Sequence, residues 1–156
     1  MDRTEAMDKQ DPAEEVMRRC LAMRSRAVAR AISRPFDDAL RPFGITIAQY
    51  TILVALRLRP APSITALADV LEIERSGLSR NLRLLKATGL VAMGGDGASR
   101  AQTASLTTAG RALIDDALPA WRTAQDAARA RLGDSGERDV HSAFTALKGQ
   151  GWPDIP

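Results

Sequence analysis

Chemistry begins in this sequence where guanidinium groups and short hydroxyl donors fall on one side of a helical repeat. In the segment SITALADVLEIERSGLSRNLRLLKATGLV, residues 63–91, Leu78, Leu82 and Leu85 recur at helical spacing and form one apolar face. The opposite face then carries Arg75, Ser76, Ser79, Arg80 and Arg83. Arginine with short donors near a helix N-terminus is suited to reading base edges in a DNA major groove. Free amides at such a terminus also donate to phosphate. Ser63, Thr65 and Asn81 complete the candidate set. An ordinary solvated helix accounts for the same arginines without any partner, and spacing alone does not choose between the two.

Other constellations carry less. The one cysteine, Cys20, excludes an intrachain disulfide and a cysteine-based metal cage. His141 is the one histidine and cannot build a metal site by itself, so no metal and no cofactor are expected. Asp37–Asp38 and Asp115–Asp116 are adjacent pairs that point to different faces of a helix, so neither forms an acid–base couple. GGDG at 94–97 lacks the strand–loop–helix setting of a phosphate loop and reads as a turn. There is no nucleophile elbow and no Cys/His dyad, and the chain is not expected to be an enzyme.

The elements that must position the arginines follow from periodicity and punctuation. Residues 1–12 read as a disordered tail and 149–156 as a second one. From Glu14 a helix runs through Val16, Cys20, Met23, Ala27 and Ala31. Pro35 should kink or end it, with Ser33 capping a restart toward Leu40. Thr46 opens the next helix, with Gln49 three residues on as a capping box; PAP at 60–62 stops it. Ser63 caps a short helix with Leu67, Val70 and Leu71. A tight turn at Glu72–Glu74 leads into the arginine-bearing helix, which Gly89 closes. LVAM, GGDG and QTASL read as a β-hairpin. Thr107 or Thr108 caps a long helix to about Leu132, whose positions Leu113, Ala117, Trp121, Ala124, Ala128 and Leu132 approach a coiled-coil seam. Asp134 and Glu137 form a capping box for a last helix. Two short helices followed by a Gly-rich hairpin describe a winged helix-turn-helix: a mainly α fold with a small β-wing. Ala68 supplies the small residue where the two helices cross. The turn position that usually holds Gly holds Glu72, at about 1–2 kcal/mol if the left-handed backbone is kept.

Composition agrees. The 156 residues suit one domain, and aromatics are only 4%, so the core is aliphatic and favours helices. No apolar run approaches the ~20 residues of a membrane span, and the polar start MDRTEAMDKQDPAEE does not read as a signal peptide. A cytoplasmic protein with no membrane partner is expected. The net charge of +3 is unevenly spread: residues 75–111 carry six basic groups against Asp96, while 18–41 carry seven arginines against two aspartates. Such concentration is what a polyanion-binding surface needs.

The run ERSGLSRNLRLLKATGLV resembles the recognition helix of MarR-type transcriptional regulators. CLAMRSRAVARAISRPFDDALRPFGITIAQYTIL resembles their first two helices and SLTTAGRALIDDALPAWRTAQ their post-wing helix. The resemblance spans residues 16–148. It implies a winged-helix part over 46–107 flanked by dimerisation helices at 13–45 and 108–148. It further implies a homodimer that represses from a pseudo-palindromic operator in double-stranded DNA and is released by a small, aromatic, anionic effector. The family's wing arginine, which enters the minor groove, corresponds to Arg100; the aspartate usually found two residues earlier is replaced by Ala98, with Asp96 displaced further. Met23, Phe43 and Trp121, with Arg24, Arg26 and Arg30 as partners for an anion, are the ligand-pocket candidates, although their periodicity equally suits a core. One branch of the family senses peroxide through a first-helix cysteine, but that position falls nearer Ala22 than Cys20, and its supporting tyrosines correspond to Arg26 and Phe36. Cys20 is therefore read as an apolar packing residue. The alternative function is a winged-helix protein–protein adaptor without DNA binding, for which Glu72 and Ala98 speak.

Overall fold

The computed structural model describes residues 11–59, 63–94 and 102–148; within them the chain is helical apart from one hairpin. Residues 1–10 of the expected tail 1–12, the PAP stop, the wing tip with Asp96, Ala98 and Arg100, and the tail 149–156 lie outside the described residues; Asp11 and Pro12, also assigned to the tail, instead start a helix. Two compact units divide at Arg34 and Pro35.

In the N-terminal unit, Asp11 accepts the Ala13 amide at 2.9 Å, and Pro12 occupies the first helical position, where no donor is required. Helix α1 (Pro12–Arg19) thus starts two residues before Glu14. It stops at Cys20, whose backbone is extended (φ −66°, ψ 107°), and α2 (Leu21–Leu40) follows. The single helix expected from Glu14 to Ala31 is therefore two. Apolar spacing did not reveal the break because both i to i−4 bonds around Cys20 persist, Cys20 N to Val16 O at 2.9 Å and Arg24 N to Cys20 O at 3.3 Å. Pro35 neither ends α2 nor prompts a restart, and the Ser33 hydroxyl donates to Ala29 O at 2.7 Å instead of capping. Proline removes the donor for the Ala31 carbonyl, but Ala31 is exposed and water can take its place.

In the second unit, a 3₁₀ turn (Arg41–Phe43) closes on Gly44 in the left-handed region and leads to Thr46. The expected capping box forms: Thr46 Oγ1 accepts from Gln49 N, and Gln49 Oε1 accepts from Thr46 N at 3.0 Å. It starts α3 (Ile47–Leu58). Ser63 caps α4 (Ile64–Leu71) through the Ala66 amide at 3.1 Å, and α5 (Arg75–Ala87) follows. Strands β1 (Val91–Gly94) and β2 (Thr103–Leu106) pair antiparallel with Val91 opposite Leu106 and Gly94 opposite Thr103. The Ile64 amide donates to Gln102 O at 3.0 Å, so the hairpin is tied to the start of α4. Leu53, Leu56, Leu67, Leu78, Leu82 and Leu85, all at most 1% exposed, form the centre of the core.

Thr107 accepts from Gly110 N at 3.0 Å and so caps α6 (Thr108–Lys148), which bends at Gly133 (φ 65°, ψ 172°). The expected Asp134–Glu137 capping box does not form; Glu137 turns back across the bend to Arg129 Nε at 2.7 Å. The seam on α6 also differs from expectation. Ala117, Ala124 and Ala128 are already buried within one chain, and Ile114 is buried in the core with Leu113 only partly buried against it.

Gly110 fixes how closely α6 approaches the end of α5. A Cβ there would lie 2.2 Å from the Leu90 carbonyl oxygen, a backbone atom that cannot swing aside. Gly110→Ala is expected to lower stability by about 1–3 kcal/mol, read as an earlier midpoint in urea unfolding. An unchanged midpoint would mean that the first turn of α6 does not rest on Leu90.

Candidate nucleic-acid interface

The turn between α4 and α5 is built from backbone bonds. Ile73 N donates to Ala68 O at 3.1 Å and Glu72 N to Asp69 O at 3.3 Å, the paired 6→1 and 5→2 pattern of a Schellman motif. The same pair closes α5, with Leu90 N to Leu85 O at 2.9 Å and Gly89 N to Lys86 O at 3.0 Å. The motif places its penultimate residue in the left-handed region: Gly89 at φ 73°, and Glu72 at φ 51°, ψ 43°. Glu72 alone among the described non-glycine residues has positive φ. Ala68, 3% exposed, lies at the crossing, and Leu78 is fully buried ten residues later.

Burying Leu78, Leu82 and Leu85 turns the other side of α5 outward. Arg75, Ser76, Arg80 and Arg83 are exposed and Ser79 is half-buried among them. No acidic residue lies between Arg75 and Lys86. The Arg75 guanidinium donates to Thr65 Oγ1 at 2.9 Å, joining the first turns of α5 and α4. Arg83 Nε makes a long bond to Ser79 O, 3.4 Å, and the half-buried Asn81 amide donates to Gly77 O at 3.0 Å, which turns it onto its own helix. Ser63 is engaged as the cap of α4. Seven of the sequence-derived candidates on α4 and α5 (Thr65, Arg75, Ser76, Ser79, Arg80, Asn81, Arg83) thus belong to one helix pair. Arg100 lies outside the described residues.

A second feature lies between α3 and α6: an open apolar cleft of about 370 Å³ lined by Tyr50, Thr51, Val54, Ile114, Leu118 and Trp121. Only Trp121 had been expected there, and it also packs against Phe36 with ring centroids 6.3 Å apart. Phe43 packs on the core instead. Met23, Arg24, Arg26 and Arg30 are exposed on the N-terminal unit, whereas the whole lining of this cleft comes from the second unit. The sequence carries a trace of this cleft: α3 has more apolar positions than one core face needs, with Ile47, Tyr50 and Val54 as a second stripe beside Leu53 and Leu56. The Tyr50 hydroxyl donates to Ile114 O at 3.1 Å, and Thr51 donates to Ile47 O at 2.8 Å. Burial pushes the Tyr50 phenol above its ordinary pKa and the Asp115 carboxylate adds to this, with Arg57 and Arg122 opposing. Arg57 pairs with Asp115 at 2.5 Å.

The sequence profile described as MarR family matches residues 43–100. The M. tuberculosis transcriptional regulator MosR, solved in complex with DNA, is 32% identical, with a TM-score of 0.72 over 83% of this chain and 97% of its own. The chain belongs to the MarR family. Two less similar structures share the fold: a mutant E. coli MarR complexed with operator DNA (21% identity, TM-score 0.75, 88% of this chain, 99% of that one) and Bordetella bronchiseptica BpsR (22%, 0.71, 83% and 93%). No curated protein sequence matches the chain. The mainly helical chain with one two-stranded antiparallel hairpin has the winged-helix fold of the MarR family. No single described helix is long and apolar enough to cross a membrane.

Glu72→Gly removes a side chain from a left-handed position. Relief of about 1–2 kcal/mol, less about 0.4–1 kcal/mol for the freer unfolded glycine, should stabilise the fold and raise Tm by about 2–4 °C. Scanning calorimetry reads this; a lower Tm would mean that the Glu72 side chain contributes more than the backbone conformation costs.

Proposed function

We propose that this MarR-family chain acts as a homodimeric repressor, with α5 of each protomer in the major groove of a pseudo-palindromic operator. The observation that carries this reading is the division of α5 into a leucine face sealed in the core and an acid-free arginine and serine face in solvent. Arg80 lies one turn past the N-terminus of α5, and among the described residues no side chain or backbone group holds its guanidinium. It is the residue assigned to guanine O6 and N7. Arg75, Ser76, Ser79 and Arg83 flank it, Asn81 and Thr65 support them, Ser63 starts α4, and Arg100 supplies the wing contact. The complex of MosR with DNA supports a DNA partner.

The second copy is proposed to cover apolar side chains that one chain leaves in water: Val16, Met17, Leu21, Met23 and Val28 on α1 and α2, and Val140 and Leu147 on α6. The α3–α6 cleft is proposed as the effector site. Its volume suits a small ring, with Trp121 and Tyr50 as aromatic walls. For BpsR, DNA binding is regulated by 6-hydroxynicotinic acid. Arg122, the residue after Trp121 on α6, is the basic group proposed to pair with an anionic effector. Such a regulator works in the cytoplasm, where its DNA is.

A duplex selected by the full-length protein from a random pool provides the test. Arg80→Ala should weaken that duplex by about ten- to a hundredfold, a bidentate base contact being worth about 1–3 kcal/mol, and weaken random duplex much less. Equal affinity of variant and wild type for both duplexes would favour the adaptor function instead. Sedimentation at micromolar concentration should give twice the 16.8-kDa chain mass; a persistent monomer would overturn the dimer.

A further inference from the structure

The bond between Thr65 and Arg75 has a consequence for base reading. Arg75 is the first residue of α5, and Thr65 lies in the first turn of α4, ten positions earlier. A long exposed arginine normally samples many rotamers, and ordering it on a target lowers affinity. Here one Nη2 hydrogen is held by Thr65 Oγ1 at 2.9 Å, across the turn that Glu72 closes. Nη2 carries two hydrogens. Whichever of them Thr65 takes, one complete two-hydrogen edge of the guanidinium stays open for a planar acceptor pair. Arg80 lacks such a tether among the described residues, and Arg83 has only the long bond to Ser79 O.

We infer that Thr65 is a positioning residue: it presets the Arg75 guanidinium for one base step and contributes to sequence selection through Arg75, not through a base contact of its own. The inference rests on the proposed DNA-reading role of α5. Its content is that a residue of the preceding helix sets the aim of an arginine of the recognition helix.

The test is a double-mutant cycle on the full-length protein, using the duplex selected from a random pool and a random duplex. Thr65→Val keeps the branched shape and removes the hydroxyl, so circular dichroism and Tm should match the wild type. Its affinity for the selected duplex should fall by about five- to tenfold, and the ratio of selected to random affinity should fall with it. Thr65→Ser, which keeps the hydroxyl, should restore the wild-type ratio to within about twofold. On an Arg75→Ala background, Thr65→Val should add nothing, since the pair acts as one unit. Losses that multiply, a serine variant as weak as the valine one, or an unaltered ratio in Thr65→Val would each overturn the inference. Arg80→Ala, measured beside them, keeps the two levels apart. If it weakens the selected duplex while Thr65→Val does not, the positioning role fails and the DNA-reading role of α5 stands. If Arg80→Ala and Arg75→Ala both leave affinity unchanged, the reading beneath it fails too.

Discussion

Removal of Leu78, Leu82 and Leu85 from water fixes the rotation of α5 about its own axis, and the rest of the interface depends on that rotation. Each of the three is at most 1% exposed, against a core supplied by α3, α4, the hairpin and the start of α6. Truncating a leucine so buried costs about 2–5 kcal/mol, a large part of the stability of a domain of this size. A helix held that firmly on one side has no freedom to choose what it shows on the other. Arg75, Ser76, Arg80 and Arg83 face solvent because the leucines at helical spacing from them cannot.

Backbone chemistry at the two ends of α5 serves the same end. Both neighbouring turns use one hydrogen-bond pattern that demands a left-handed residue, and the chain meets the demand once with Gly89 and once with Glu72. The strained turn precedes α5 and sets its angle to α4; the relaxed turn follows it and delivers Leu90 and Val91 to the hairpin. Gly110 then lets α6 settle on the Leu90 carbonyl, with Thr107 bonding Gly89 O at 2.7 Å beside it. The start of the long helix is therefore held against Gly89 and Leu90, the residues that close α5. The α3–α6 cleft, proposed above as the effector site, lies along the same helix, with the Tyr50–Ile114 and Arg57–Asp115 bonds beside it.

Much of this was legible from residue types. The Thr46–Gln49 capping box, the Ser63 cap and the leucine stripe of α5 follow local rules in which the side chain that signals a structure also makes its contacts; the two hairpin strands and the left-handed turn at Glu72 follow from turn chemistry. The N-terminal region was misread because helical spacing survives a one-residue break: Cys20 keeps both of its i to i−4 bonds while its own backbone is extended. Pro35 was overweighted because its cost depends on whether Ala31 is wet, which periodicity does not report. Glu137 was assigned to a cap by spacing and instead pairs with Arg129, since the Gly133 bend brings the two together. Of the ligand-pocket candidates Met23, Arg24, Arg26, Arg30, Phe43 and Trp121, only Trp121 lines the α3–α6 cleft, beside Tyr50, Thr51, Val54, Ile114 and Leu118. Those residues meet only when α3 packs on α6, a long-range fact that no local pattern contains.

The central claim is that burial of one face of α5 aims the other at DNA, and an alanine scan along all of α5 tests it most directly. Each full-length variant is measured for melting temperature and for affinity to a duplex selected from a random pool. The account predicts two interleaved sets with helical period: Leu78, Leu82 and Leu85 lose melting temperature, whereas Arg75, Ser76, Ser79, Arg80 and Arg83 lose affinity at unchanged melting temperature. Affinity losses scattered without that period, or confined to the variants that also unfold, would contradict it.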